Sequence, residues 1–294
     1  MGEFHSGFVA ILGRPNVGKS SLMNRFVGEK VAIVSERPQT TRNRILGVAA
    51  GEGWQIVFVD TPGLHKPRNR LGEFMMQEAE AARDDVDAVL AVVDGAHLGE
   101  RDAAILDDVR QMACPKFLAV NKTDLVTPEQ LMPRLASLNV EGFERVFSVS
   151  ARQGDNVDAL KTALVAAMPV GPKYFPDDMV TDQPERVICA EIIREKALRN
   201  LYDEVPHGIG VEMMGMQKIG DGRMEIHATI YCEKASHKGV IIGKQGAMLK
   251  KIGSEARVDI ERLLGCKVML RLWVKVREDW RNRTGDLKTL GYGE

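Results

Sequence analysis

The stretch that decides the fold is G-R-P-N-V-G-K-S, residues 13–20. It follows the apolar run F-V-A-I-L (8–12), which is typical of a buried strand, and leads into K-S-S-L-M-N-R-F-V (19–27), which is typical of a helix. A strand, a glycine-containing loop and a helix in this order surround phosphate groups with backbone amides and the positive end of a helix dipole. The stretch therefore predicts a phosphate-binding loop.

The residues that end this loop predict the chemistry of the nucleotide. Lys19 is expected to reach the β- and γ-phosphates of a nucleoside triphosphate, and the Ser20 hydroxyl is expected to bind Mg²⁺. A plain glycine turn before a helix would give no reason for Lys-Ser at this point. The other predicted nucleotide contacts of the loop are Gly13, Arg14, Pro15, Asn16, Val17, Gly18 and Ser21.

Further apolar runs alternate with helical stretches through the first half of the chain. They are W-Q-I-V-F-V-D (54–60), A-V-L-A-V-V-D (88–94), K-F-L-A-V-N-K (116–122) and R-V-F-S-V-S (145–150). Continuous apolar strands joined by crossover helices are typical of a parallel sheet that is buried on both faces. The first half is therefore predicted to be an α/β domain with a mostly parallel sheet.

The motif Asp60-Thr61-Pro62-Gly63 closes the strand at 54–60. Asp60 is predicted to hold Mg²⁺ through a water molecule, and the Gly63 amide is predicted to sense the γ-phosphate. Thr61, Pro62 and Leu64 complete the predicted nucleotide contacts of this loop.

The motif Asn121-Lys122-Thr123-Asp124 follows the next strand but one. The Asp124 carboxylate can accept two hydrogen bonds from guanine N1–H and N2–H₂, whereas adenine offers the wrong pattern. Ser150-Ala151 follows the last strand and is predicted to support the base through a backbone amide. Asn121 and Lys122 belong to the same predicted site, so the sequence predicts a guanine nucleotide.

Two further segments give the chain a family resemblance. S-E-R-P-Q-T-T-R (35–42) and Y-F-P-D-D-M-V-T-D-Q-P-E-R (174–186), followed by A-E-I-I-R-E-K, resemble the first switch and the interdomain stretch of the Era family of GTPases. The likeness runs from about residue 6 to residue 292. It implies that Thr41 binds Mg²⁺, with Thr40 as the alternative, and that Lys19, Thr41 and Gly63 are the catalytic positions.

The position after the switch glycine differs from that of many GTPases. A glutamine there orients the attacking water in many relatives, but this chain has Leu64, and an apolar side chain cannot orient water. The alternatives are His65 or backbone groups of the two switches. Related GTPases with asparagine at the position of Asn16 hold a monovalent cation beside the phosphates, which makes K⁺ a candidate cofactor. Slow intrinsic hydrolysis is expected.

The second half has a different element order. It predicts helix 190–205, strands 209–217 and 224–233, helices 239–248 and 253–264, and strand 267–277, with alternate residues of the last strand buried. This α-β-β-α-α-β order, with G-x-x-G between the later helices, resembles a smaller α+β domain of the type II KH class. Gly243, Lys244, Gln245 and Gly246 would clamp a single-stranded RNA backbone, and Ile241 and Ile242 would contact bases.

The charge distribution supports a polyanion partner for the second half. Residues 234–288 hold 14 basic and 6 acidic residues, a net charge of +8, although the whole chain carries −1. The outer face of the last strand and W-R-N-R (280–283) are candidates to extend an RNA surface. The alternative is that their charges simply face water.

The resemblance implies a GTP-hydrolysing protein, with GDP as product, that binds small-subunit (16S-type) ribosomal RNA near its 3′ end and acts in assembly of the small ribosomal subunit. The alternative is a membrane-associated regulatory GTPase whose basic half contacts anionic lipid on the inner face of the cell membrane. The G-x-x-G favours RNA, because a lipid surface requires only positive charge. The expected domain boundaries are 1–170 for the GTP-binding domain, 171–185 for a linker and 186–294 for the KH domain with its tail.

Composition is consistent with a cytoplasmic protein, and the chain is expected to be a monomer. The four cysteines stand far apart, which argues against a zinc site or a disulfide framework. No apolar run approaches the ~20 residues that a membrane-spanning helix needs.

Overall fold

The structure, a computed structural model, describes residues 3–293 apart from residues 36, 38, 64–66, 68 and 84. The chain divides into two compact units, each described by itself below. The N-terminal unit comprises residues 1–34, 41–66 and 75–182, and the C-terminal unit comprises residues 35–40, 67–74 and 183–294.

The N-terminal unit is built on a sheet of six strands among the described residues. The strands are β1 (His5–Leu12), β2 (Ile45–Gly51), β3 (Trp54–Asp60), β4 (Ala88–Asp94), β5 (Lys116–Asn121) and β6 (Arg145–Ser148). Their order is β2-β3-β1-β4-β5-β6, and every pair of neighbours is parallel except β2 with β3. The mostly parallel sheet is therefore confirmed, with β2 as an antiparallel edge strand that the sequence did not predict.

Helices follow the strands in the alternating order expected of a doubly covered sheet. They are α1 (Lys19–Val27), α2 (Arg70–Ala81), α3 (Glu100–Arg110), α4 (Pro128–Ala136) and α5 (Val157–Ala166). Helix α2 begins in the segment that groups with the C-terminal unit and ends in the N-terminal unit. Alternate residues of β1 enter two separate apolar clusters, Val9 and Ile11 in one and Ala10 and Leu12 in the other. Both faces of the central strands are thus buried, which explains their continuous apolar sequences.

The segment predicted as a linker lies along the N-terminal unit as far as Asp182. The Gln55 side chain accepts hydrogen bonds from the backbone N–H groups of Tyr174 (2.9 Å) and Phe175 (3.0 Å) and donates one to the Phe175 carbonyl (2.8 Å). The Thr181 hydroxyl donates to the Leu46 carbonyl at 2.6 Å. These polar contacts order a stretch that has no helix or strand of its own.

The C-terminal unit has the element order α-β-β-α-α-β that the sequence predicts, followed by one more short helix. Its elements are α6 (Glu185–Asn200), β7 (Gly210–Ile219), β8 (Arg223–Cys232), α7 (Ala235–Ile242), α8 (Ala247–Leu264), β9 (Val268–Val276) and α9 (Thr284–Thr289). The strands form a sheet in the order β7-β8-β9, antiparallel in the first pair and parallel in the second. The α+β KH fold is confirmed, and no described helix is both long enough and apolar enough to cross a bilayer.

Helix boundaries in this unit differ from the predicted ones around the G-x-x-G. The predicted helix 239–248 would run through both glycines, whereas α7 ends at Ile242 and α8 begins at Ala247. The backbone of Gly243 (φ 71°), Gln245 (φ 52°) and Gly246 (φ 79°) has positive φ, which a right-handed helix does not allow. The apolar periodicity of the sequence continues across this turn, which is why it predicted one helix there. The helix itself is interrupted at the two glycines.

The alternation predicted for the last strand is confirmed as far as Val274, but Val276, which belongs to the inward series, is exposed. Val268 and Val274 of β9 are buried in the core under α6 and α8, and Arg271 and Trp273 face outward and are exposed. The sheet of the C-terminal unit is thus covered on one face and exposed along β9 on the other.

Trp280, in contrast, does not extend an RNA surface as the sequence suggested. Its ring is fully buried, stacked on Tyr292 with ring centres 6.0 Å apart, and its indole N–H donates to the Gly208 carbonyl at 2.9 Å. Arg281 pairs with Glu233 at 2.5 Å. The tail is therefore an ordered part of the C-terminal unit, held by an aromatic anchor.

We predict that Trp280→Ala destabilises the C-terminal unit by about 3 kcal/mol or more, because it leaves a large cavity and an unpaired carbonyl. The matched control is Trp273→Ala, whose side chain is 43% exposed and which should cost less than about 1 kcal/mol. Hydrogen exchange of peptides from residues 183–294 measures both changes. Equal protection in the two variants would contradict the anchoring role of Trp280.

Candidate functional site

The loop at residues 13–18 connects β1 to α1 and requires glycine at its end. Gly18 has φ 100°, and a Cβ atom there would lie 2.1 Å from the side-chain nitrogen of Asn121. Any larger residue would therefore be both strained and in steric conflict. The result is a tight loop whose last residue caps α1, so that the free N–H groups of the helix face the loop.

Lys19 is the first residue of α1 and lies almost wholly inside the loop. Its Nζ donates to the carbonyl oxygens of Gly13 and Arg14, both at 3.1 Å. Burial lowers the pKa of Lys19, and the nearby Asp60 carboxylate opposes that effect. Burial of the ammonium group has a cost in lost hydration. An incoming polyanion would offset that cost, because its oxygens would replace the lost water.

Three oxygen-bearing side chains meet at the ends of α1, β3 and the segment before β2. Ser20 Oγ lies 2.5 Å from Asp60 Oδ2 and 3.0 Å from Thr41 Oγ1, and Thr41 Oγ1 lies 3.5 Å from the same carboxylate oxygen. The other oxygen, Asp60 Oδ1, is buried without a hydrogen-bond partner among the described residues. Burial raises the pKa of Asp60, and the Lys19 charge opposes this. Hydroxyl and carboxylate oxygens with spare capacity fit Mg²⁺.

The two threonines proposed as alternatives for Mg²⁺ differ in their contacts. The Thr41 hydroxyl lies among the oxygens just described, while the Thr40 hydroxyl donates to the Arg37 carbonyl at 2.6 Å. The geometry thus places the first-named candidate beside Ser20 and Asp60. The Thr61 hydroxyl donates to the Ile11 carbonyl at 3.1 Å.

Asn121 joins the phosphate loop to the predicted base-binding loops. Its side-chain N–H donates to the Val17 carbonyl at 2.8 Å, and its oxygen accepts from the Ala151 N–H at 2.9 Å. The Ser150 N–H donates to the Asp155 carbonyl at 3.1 Å. The prediction that a backbone amide of Ser150 or Ala151 supports the base stays a prediction. In this structure both amides also hold the loops together.

Asp124 presents a carboxylate at the protein surface. The Ser150 hydroxyl donates to Asp124 Oδ1 at 2.7 Å and so fixes its orientation. Lys122, in the left-handed region at φ 66°, bridges back to Asp94 at 2.7 Å. The Asp124 group is exposed and keeps its second oxygen for N–H donors of a base.

Other predicted contacts are placed less directly. The Arg14 guanidinium donates to Asp102 and to the His97 carbonyl, both at 2.6 Å, so its backbone rather than its side chain borders the loop. Asn16 has a left-handed backbone at φ 65°. Pro15 and Ser21 are half-buried, and Pro62 and Gly63 are buried. Leu64 and His65 lie outside the described residues.

The G-x-x-G turn exposes its two central side chains, Lys244 and Gln245. At Gly243, φ is 71° and a Cβ atom would lie 2.7 Å from the Met248 side chain, so glycine is required. Ile242 is half-buried beside the turn. Ile241 is fully buried in the core, and the prediction that it contacts bases is wrong, since α7 turns that position inward.

Sequence analysis missed one functional candidate, Arg194. It is fully buried in the C-terminal unit and donates from Nη2 to the carbonyl oxygen of Thr40, which belongs to the same unit. Burial lowers the pKa of Arg194, but Glu191, which accepts from its Nε at 2.8 Å, and other neighbours raise it above its usual value. The available signal was the run R-E-K (194–196) within the family-like stretch A-E-I-I-R-E-K, and the structure shows that all three of these charged residues are buried in α6.

The comparisons with known proteins cover both units. Residues 8–122 match a family model described as a 50S ribosome-binding GTPase, and residues 204–281 match the KH domain model. The chain is 52% identical over 293 residues to the GTPase Era of Alkaliphilus metalliredigens, covering 99% of both chains. It is 51% identical over 295 residues to the GTPase Era of Clostridioides difficile, again covering 99% of both.

Two solved structures are similar along the whole chain. One is Era in complex with MgGDPNP and nucleotides 1506–1542 of 16S ribosomal RNA, with a TM-score of 0.92, 35% identity and coverage of 99% of this chain and 100% of that one. The other is a variant of Aquifex aeolicus Era bound to GDP and AlF₄⁻, with a TM-score of 0.93, 35% identity and the same coverage.

Proposed function

Because this chain belongs to the Era family of GTPases, we propose that it hydrolyses GTP and binds small-subunit ribosomal RNA near its 3′ end during assembly of the small ribosomal subunit. The observation that carries the proposal is the full-length likeness to an Era held with both MgGDPNP and 16S ribosomal RNA. Both ligand-binding elements are present in this chain, the phosphate loop in one unit and the G-x-x-G turn in the other.

The phosphate end of GTP is assigned to the buried charges of the N-terminal unit. Lys19 binds the β- and γ-phosphates, and Ser20, Thr41 and Asp60 are the residues that would hold Mg²⁺. Mg²⁺, when bound, neutralises charge that develops on the transferred phosphoryl group. The Gly63 amide senses the γ-phosphate, which makes Lys19, Thr41 and Gly63 the proposed catalytic positions.

The guanine end is assigned to Asp124. Its exposed carboxylate accepts from N1–H and N2–H₂ of the base, and Ser150 keeps it in position. Asn121 contributes by holding the phosphate loop and the Ser150–Ala151 loop at a fixed separation. Discrimination against adenine follows, because adenine would leave the oriented carboxylate oxygens of Asp124 unpaired.

Water activation is assigned to backbone groups of the two switch segments. Leu64 cannot orient water, and a monovalent cation beside Asn16 would supply part of the charge neutralisation that other GTPases obtain from an arginine. K⁺ is therefore proposed as an additional cofactor, and intrinsic hydrolysis is expected to be slow in either case.

The RNA end is assigned to the C-terminal unit. The exposed Lys244 and Gln245, on a turn whose glycines allow close approach, contact the RNA backbone, and Ile242 contacts a base. The model that matches residues 8–122 carries a description naming the 50S particle, whereas the full-length relative was crystallised with 16S RNA. We favour the small subunit, because the RNA-binding elements lie outside the residues that the first model covers.

We place the protein in the cytoplasm as a monomer. Peripheral contact with the cell membrane is the alternative use of the basic C-terminal unit, and a lipid surface would not require the geometry of the G-x-x-G turn. Retention on anionic vesicles that survives replacement of the turn residues would favour the membrane.

We predict that Asp124→Asn lowers the affinity for GTP and GDP at least about a hundredfold, because an amide N–H replaces an acceptor opposite guanine N–H groups. Binding of xanthosine triphosphate, whose base carries an acceptor at position 2, should improve. Asp158→Asn, at a side chain that is 95% exposed, is the control and should change neither affinity. Calorimetric titration with each nucleotide measures the effect, and unchanged GTP affinity in Asp124→Asn would refute the base assignment.

We predict that GTP hydrolysis is faster in K⁺ than in Na⁺ and that Asn16→Gly loses this difference. Glycine keeps the left-handed backbone of position 16 while removing the side-chain oxygen. Single-turnover phosphate release at saturating GTP provides the measurement. Equal rates for the wild type in both salts would remove K⁺ from the mechanism.

We predict that Lys244→Asp combined with Gln245→Asp abolishes binding to 16S RNA fragments and leaves intrinsic GTP hydrolysis within about twofold of the wild type. Two carboxylates would then face the RNA backbone at its closest approach. Lys267→Asp, a change of the same type at a side chain that is 80% exposed near the end of α8, is the control. Capture of small-subunit particles before and after RNase treatment tests the biological role, and capture that survives RNase would count against RNA recognition.

A further inference from the structure

The exposed face of β9 carries a second group of residues suited to nucleic acid. Successive outward positions of this strand are Met269, Arg271, Trp273 and Lys275, all of them exposed. Outward neighbours on one strand stand about 6.6 Å apart, because each residue advances about 3.3 Å. An aromatic ring is thus flanked on both sides by a cation.

The Trp273 ring is held in place although it is 43% exposed. It meets the His227 ring of β8 edge to face, with ring centres 5.4 Å apart. His227 is in turn held by Glu225, with 3.2 Å between Nε2 and the carboxylate. A ring that is fixed before a ligand arrives loses little conformational entropy when a flat group stacks on it.

The acidic groups of this face are already engaged. Glu225 holds Arg271 at 3.0 Å, and hydrogen bonds led by that from His227 lower its pKa, so it is an ionised and occupied carboxylate. Glu212 accepts from the Tyr231 hydroxyl at 2.7 Å. Lys275 forms no ion pair with any residue that the structure describes. The charge that remains available to a ligand is therefore the positive charge of Lys275, next to the exposed ring of Trp273.

Strand β9 links this face to the assigned RNA site across the edge of the sheet. It is an edge strand, and its other face packs against α7 and α8, the two helices that the G-x-x-G turn joins. A chain that leaves the turn would therefore have to bend round this edge strand to reach Trp273.

We propose that the RNA strand clamped at the G-x-x-G turn continues round the sheet edge onto β9, where one unpaired base stacks on Trp273 and Lys275 neutralises an adjacent phosphate. This inference rests on the proposed RNA binding of the C-terminal unit. The net charge of +8 over residues 234–288 favours RNA over an uncharged protein surface, because a polyanion gains from excess positive charge. The face thus extends the length of RNA that the protein holds.

Tryptophan fluorescence of the full-length protein tests the contact directly. Of the three tryptophans, Trp280 is fully buried and Trp54 is half-buried in the N-terminal unit, so Trp273 should dominate any change on RNA binding. Titration with a single-stranded RNA covering nucleotides 1506–1542 of 16S RNA should quench the emission, and Trp273→Phe should remove the quenching while affinity stays within about threefold. Trp273→Ala should lose about tenfold in affinity, because base–aromatic stacking is lost.

The outcomes separate this inference from the function on which it rests. If the wild type does not bind the RNA at all, the proposed function fails. If it binds, but without quenching, and Trp273→Ala retains full affinity, only the stacking site fails. If Trp273→Ala lowers capture of small-subunit particles without lowering RNA affinity, the face binds protein and the inference is overturned. Unchanged circular dichroism and GTP hydrolysis in both variants confirm that they are folded.

Discussion

The buried carboxylate of Asp60 is the constraint on which the nucleotide site depends. Removing a carboxylate from water costs several kcal/mol unless other groups compensate, and one of its oxygens has no partner among the described residues. Strand β3 brings it to the same edge of the sheet as the helix start that carries Lys19 and Ser20. The site is therefore organised around a carboxylate that the protein alone compensates only in part. In a metal-bound polyphosphate, the metal ion supplies positive charge for Asp60 and the phosphates supply negative charge for Lys19.

Polar contacts between the loops at this edge of the sheet explain why the site is spread over many loops. Asn121 ties the phosphate loop to the loop after β6, and Ser150 orients the exposed Asp124. Each contact joins residues distant in sequence but adjacent at the carboxyl ends of parallel strands, where ligands of such sheets bind. The loops at one edge of the sheet are thus sufficient to position both the phosphate end and the base end of the nucleotide.

The parts of the fold that could be predicted from sequence are those fixed by local chemistry. Continuous apolar strands, glycine loops and the G-x-x-G turn each require particular residues within about ten positions, so the sheet, the phosphate loop and the KH fold followed from them. Ile241 and Trp280 were misassigned, because burial depends on packing between distant segments that no local pattern encodes. Strand β2 was missed because I-L-G-V-A-A-G, with two glycines and only two β-branched residues, is a weak strand sequence. Arg194 was missed because a charged side chain in a helix is normally expected at the surface.

The grouping of residues 35–40 and 67–74 with the C-terminal unit has a consequence for how such a protein can be divided. The chain passes between the two units five times, so a cut after Asp182 does not release a self-sufficient N-terminal part. It removes Arg194 from the Thr40 carbonyl and Thr284 from the Arg70 side chain, which donates to it at 2.7 Å. An N-terminal fragment would retain the six-stranded sheet, but residues 35–40 and 67–74 would lose the unit with which they group. Exchange of the second unit between relatives, by recombination or in the laboratory, would therefore have to carry matching changes in these two short segments of the first half of the gene.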